Sequence, residues 1–172
     1  VTIANGLLYW WPSTCDCNLT LYGITCLGPA GGFDFSANAA EAERLEKFVK
    51  DGEKIASLPE SPADWPAFRA NRSCTATTEA TIPAKARRLW ESPSPAPFTP
   101  TAPTTEGGLV FLSGSDGIVR ALNAATGKLQ WQAFTGGDVR YPPTIWNGRA
   151  LVGSGDGWIY SFEAKTGRLL WR

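Results

Sequence analysis

GGLVFLSGSDGIVRALNAATGKLQW (Gly107–Trp131) returns without a gap as NGRALVGSGDGWIYSFEAKTGRLLW (Asn147–Trp171). The offset is 40 residues: Gly108 falls on Gly148, Asp116-Gly117 on Asp156-Gly157, Thr126-Gly127 on Thr166-Gly167 and Trp131 on Trp171. Pro103-Thr104 and Pro143-Thr144 keep the same spacing upstream, and Trp90 in RRLWESP lies 41 residues before Trp131. Self-similarity at this period marks small β units that bury their faces against one another.

Each part of the copy has a local physical reading. Leu109–Leu112 and Ala150–Val152 are short apolar runs bounded by Gly, as buried strands are. Asp116-Gly117 and Asp156-Gly157 read as two-residue reversals in which Gly accepts positive φ. The partner strands are then Ile118–Leu122 and Trp158–Phe162. Ala125–Lys128 and Lys165–Arg168, with Gly127 and Gly167, make the next turn, and Leu129–Gln132 and Leu169–Arg172 complete a meander. A stretch such as Val139–Ile145 supplies a candidate fourth strand, and four strands per unit of about 40 residues is the pattern of a propeller blade. One carboxylate per copy is far short of a calcium shell, so Asp116 and Asp156 read as turn residues. Recurrence of Trp131, Trp171 and Trp90 at one position reads as packing between adjacent units, with each indole N–H available to a backbone carbonyl.

Composition narrows the function classes. Lys and Arg total 16 against 16 Asp and Glu, so no long-range field points to nucleic acid or an anionic membrane. No stretch approaches the roughly 18 apolar residues of a membrane-spanning helix. The absence of His removes the commonest general base, any Ser-His-Asp arrangement and a c-type haem site. Eight Trp, 18 Gly and 13 Pro favour an all-β repeat fold with many turns.

SGSDGIVRALNAATGKLQW and GSGDGWIYSFEAKTGRLLW resemble the repeats of PQQ-like, quinoprotein-type β-propellers. DWPAFRANRSC (Asp64–Cys74) followed by RRLW looks like the entry into such a propeller. Together with GLLYWWPSTCDC (Gly6–Cys17), the chain is similar to large bacterial PQQ-like repeat proteins, notably those of planctomycetes. The resemblance implies an all-β fold, a partial β-propeller of four-stranded antiparallel blades, in which Trp131, Trp171 and Trp90 dock between blades. It also implies a periplasmic, cell-surface or secreted location.

Asn5–Trp10 repeats the Gly-then-apolar start of the later copies, and Leu21–Leu27 reads as its hairpin partner. AAEAERLEKFVK (Ala39–Lys50) has helix-forming residues with Leu45, Phe48 and Val49 on one face, and Gly52 beyond it as a stop. The expected organisation is therefore a blade-like hairpin with a Cys-bearing loop over 1–35, a short helical and Pro-rich linker over 36–64, and the first blades of a propeller over 65–172. Cys15, Cys17, Cys26 and Cys74 suit disulfides better than metal, because the C-x-C spacing is poor for a zinc knuckle. Cys17 with Cys26 and Cys15 with Cys74 are two options, and the pairing stays open. The sequons Asn18-Leu19-Thr20 and Asn71-Arg72-Ser73 read as chance.

About 85 residues of clear repeat are too few for a ring of four to eight blades, so the chain is expected to be a fragment that continues past Arg172. The partners are then the remaining blades of the same protein, and cell-envelope proteins. Every recurrent residue has a structural task, which points to a non-catalytic scaffold or binding module. The enzymatic alternative, a PQQ-dependent alcohol or sugar dehydrogenase, needs PQQ, calcium and catalytic residues outside this segment. A third reading, an envelope assembly factor, rests on fold analogy.

Overall fold

Two-residue turns set the frame of the repeats. Gly107-Gly108 and Asn147-Gly148 all have positive φ, between 47° and 77°, the geometry whose twist matches paired strands. The structure, a computed structural model, describes residues 2–4, 7–10, 25–28, 40, 44–71, 73–94 and 96–172. It divides into two compact units, Val1–Ala40 and Glu41–Arg172.

In the smaller unit β1 (Thr2–Ala4), β2 (Leu7–Trp10) and β3 (Thr25–Leu27) form one antiparallel sheet in that order. Tyr9 lies opposite both Thr2 and Cys26.

The larger unit carries both repeats as four-stranded antiparallel sheets. The first is β4 (Thr104–Glu106), β5 (Leu109–Leu112), β6 (Ile118–Asn123) and β7 (Leu129–Phe134). The second is β8 (Thr144–Trp146), β9 (Arg149–Gly153), β10 (Ile159–Glu163) and β11 (Leu169–Trp171). Each is a meander in chain order, as in a propeller blade. The fourth strand is thus the first of each sheet and begins at Thr144, since Pro142-Pro143 lack the N–H groups that a ladder needs. The Asp-Gly reversals are longer than two residues. In the first sheet the loop runs over 113–117, Gly117 N–H returns to Gly114 C=O at 3.0 Å, and Gly117 alone takes positive φ.

The core lies between the sheets. Phe111, Val119, Ala121 and Trp131 from one meet Ala150, Val152, Tyr160 and Phe162 from the other, all buried. The Trp131 ring bridges them, with centroids 6.0 Å from Phe111 and 6.4 Å from Phe162.

The helix expected over Ala39–Lys50 is absent from Leu45–Lys50, which runs extended instead. Lys47 forms an antiparallel bridge with Trp171 at the edge of β11. Glu46 and Arg172 exchange both backbone bonds, at 2.8 and 3.0 Å, and Phe48 N–H donates to Leu170 C=O at 2.9 Å. A short helix in isolation gains little, whereas an open sheet edge offers a ready row of partners.

Candidate functional site

The junction of the two sheets gathers most of the residues that recur in sequence. Trp131, carried on β7, is 8% exposed. Its Nε1 donates to Ala164 C=O in the second sheet at 2.9 Å. The ring lies flat against Gly167, where an added Cβ would sit 2.5 Å from ring carbon Cε3. Trp90 repeats this one step earlier: Nε1 donates to Ala124 C=O at 2.8 Å, and a Cβ on Gly127 would fall 2.6 Å from the ring. Gly is required at both turns by close approach as well as by φ, which is 70° at Gly127 and 75° at Gly167. Trp171 holds the same position in the second sheet but is half-buried, and among the described residues its indole N–H meets no carbonyl.

The Asp-Gly loops lie at one end of this junction, where residues 135–139 cross from one sheet to the next. Asp116 accepts from Arg120 at 2.5 Å and from the Ile118 amide at 3.2 Å. Asp156 accepts from the Tyr160 hydroxyl at 2.5 Å, the Trp158 amide at 3.0 Å and the Gly136 amide at 2.9 Å. Burial pushes both carboxyls up, but these donors outweigh it and hold each below the usual carboxylate range. The crossing segment is tied to both loops, with Val139 N–H on Gly114 C=O at 2.9 Å and Gly155 N–H on Asp138 C=O at 2.8 Å. Gly117 and Gly157, at φ 69° and 90°, close the two loops.

Two open spaces flank the pair. One, of about 320 Å³, is lined by Asp138, Arg140, Tyr141, Trp158 and Ile159 on the far side of the second sheet. The other, of about 580 Å³, lies over the outer face of the first sheet, with Trp90, Phe98, Val110, Leu112 and Arg120 on its walls. Arg120 lies 4.6 Å from the Phe98 ring centre, so its charge is shared between an aromatic face and Asp116.

Glu106, on β4, departs from the repeat pattern. It is 7% exposed, and burial raises its pKa, with the nearby carboxylates Glu60 and Asp64 adding to the shift. In the second copy this position is Trp146, so comparison of the copies singles it out.

Among the described residues Cys26 and Cys74 are exposed and not joined to each other, while Cys15 and Cys17, the other halves of the two pairing options, lie outside the described residues. Among the described residues no three His, Cys, Asp or Glu side chains come together in a way that could hold a metal ion. Each loop supplies one carboxylate, engaged at Asp116 by Arg120 and the Ile118 amide and at Asp156 by Tyr160 and the Trp158 and Gly136 amides. No described helix is long and apolar enough to cross a membrane.

Comparison with known proteins agrees with the repeat. The model of the family described as outer membrane protein assembly factor BamB matches residues 70–172. The chain is 34% identical over 70 residues to quinoprotein alcohol dehydrogenase PedE of Pseudomonas putida, covering 41% of this chain and 11% of that protein. It is 34% identical over 64 residues to a quinoprotein ethanol dehydrogenase of Pseudomonas putida, covering 37% and 10%. The chain thus spans about a tenth of the length of these curated relatives. Among solved structures, BamB from Moraxella catarrhalis aligns with a TM-score of 0.35 at 22% identity, over 37% of this chain and 20% of that one. A europium-containing methanol dehydrogenase aligns with a TM-score of 0.37 at 23% identity, over 40% and 14%.

Proposed function

We propose a function from one premise: the chain belongs to the family described as outer membrane protein assembly factor BamB, whose repeats it carries. It serves as a non-catalytic propeller scaffold or binding module, part of a larger exported repeat protein. One observation carries this reading: the recurrent side chains are spent on holding neighbours together. Trp90 and Trp131 dock on the next turn, Asp116 is engaged within its own hairpin, and Asp156 by its own hairpin and the crossing segment at Gly136. In this reading Trp171 is the third docking residue and receives a further sheet of the same kind. The partners are the remaining blades and proteins of the cell envelope, and the location is periplasmic, cell-surface or secreted.

The rival reading, part of a PQQ-dependent alcohol or sugar dehydrogenase, is favoured by the 34% identity to PedE over 70 residues. It requires PQQ, calcium and catalytic side chains drawn from elsewhere in the protein. The two are separated by giving the full-length protein PQQ and calcium with an alcohol and a redox dye, alongside equilibrium binding to solubilised envelope assembly proteins. Saturable binding without dye reduction is the expected outcome. Cofactor-dependent dye reduction would overturn the scaffold reading.

A further inference from the structure

One continuous peptide, residues 44–66, touches both sheets at their margins. Its first part lies along the outer edge of the second sheet through the Glu46, Lys47 and Phe48 pairings with Leu170–Arg172. Its middle passes the hairpin turns, where a Cβ on Gly107 would meet Leu58 Cβ at 2.8 Å and one on Gly148 would meet the Ala56 carbonyl. Its last part caps the first strands. Trp65 and Thr105 exchange backbone bonds at 3.0 and 2.9 Å, and Ile145 N–H donates to Pro66 C=O at 2.7 Å.

The two ends are held by different forces. The inner end is anchored by Leu58, buried among the core residues, and by the β4 and β8 pairings. The outer end buries little: Lys47 and residues 50–54 are exposed, and Phe48 is 54% exposed. Charge adds to the backbone bonds. Glu46 pairs with Arg172 at 2.7 Å, and Glu53 pairs with Arg168 at 2.7 Å. Divergence between the copies supports a purpose-built seat. Leu170 on β11 and Arg172 just beyond it stand where β7 has Gln130 and Gln132, and Leu170 is 1% exposed. Arg172 also lies 5.1 Å from the Trp158 ring centre, which holds it in place for Glu46.

We propose that residues 46–53 are the opening end of a strap: they close the outer edge of the second sheet as an added strand latched by two ion pairs, and they release it while residues 58–66 stay anchored. Release uncovers the backbone edge of β11 beside Leu170. Exposed ion pairs weaken with salt, whereas burial of Leu58 and the Trp65–Thr105 pairing do not depend on charge. This inference is independent of the scaffold reading.

Hydrogen exchange on the full chain, resolved at single amides and followed from low to high salt, tests it. Amides of Glu46, Phe48 and Arg172 are expected to lose about 3- to 30-fold of their protection at high salt. Those of Trp65 and Thr105 should hold theirs. Arg172→Gln, which installs the residue found at the equivalent β7 position, should produce the same loss at low salt, and Arg172→Lys should restore part of it. The proposal is overturned if the three outer amides are indifferent to salt, or if they lose protection in step with Trp65 and Thr105.

Discussion

The two repeats share a chain path and differ in what covers them. In the first sheet Val119 is 0% exposed because the second sheet lies on it, whereas its counterpart Ile159 is 60% exposed. Trp131 is buried on Gly167 with its N–H satisfied, whereas Trp171 is half-buried. At the outer edge the order reverses. Leu129 and Phe134 on β7 are 50% and 64% exposed, while β11 carries the added strand of residues 46–48. Recurrent local sequence therefore fixes the strands and turns of a unit, and its neighbours decide how much each side chain contributes.

Mutation of paired positions sharpens this contrast. The largest effect is expected at the tryptophans. Trp131→Ala removes a core ring and an indole hydrogen bond, and should cost about 3–5 kcal/mol in chemical denaturation. Trp171→Ala should cost about 1 kcal/mol, within the ordinary range for partly exposed sites. Equal losses would mean that neighbour burial does not set the contribution.

A smaller split is expected at the turns. Gly167→Ala drives a methyl group into Trp131 at a positive-φ position and should cost about 2–3 kcal/mol. Gly127→Ala meets Trp90, which is only half-buried and able to move aside, and should cost less. Thermal unfolding of the two variants side by side measures the difference, and a reversed order would break the comparison.

The smallest effect concerns pH, and its sign separates Glu106, present only in the first copy, from the aspartates that both copies share. Asp116 and Asp156 have lowered pKa values, so the stability they supply at neutral pH is lost as pH falls through those values. Glu106 has no counterpart in the second copy and a raised pKa, so its contribution is present in acid and lost as pH rises through that value. Glu106→Gln should flatten the decline on the rising-pH side and leave the acid decline intact. Denaturation midpoints across the acid-to-neutral range report both, and an unchanged profile in this variant would refute the assignment.

Much of the fold was legible because the signals are local. Turn glycines such as Gly127 and Gly167, and the apolar runs Leu109–Leu112 and Ala150–Val152, declare strands and reversals within a few residues. The Trp positions stood out through their fixed interval, although the carbonyls they meet do not show in sequence. Two readings differ from the structure, one in kind over Leu45–Lys50 and one in the bounds of the fourth strand. The segment around Glu46 has helix-forming composition, yet its partner Arg172 lies 126 residues away and pairing with that edge prevails. The first strand of each sheet is only three residues long, too short to show an alternating pattern. The Tyr160–Asp156–Gly136 linkage was invisible because Tyr160 replaces Arg120 at the matching place and exchanges a salt bridge for a neutral donor.

The indole bonds all point the same way along the chain, from Trp90 to Ala124 and from Trp131 to Ala164. This gives the pair a direction: each ring is seated by the turn that follows it in the chain, so a change at Gly167 is felt by the ring of the preceding sheet.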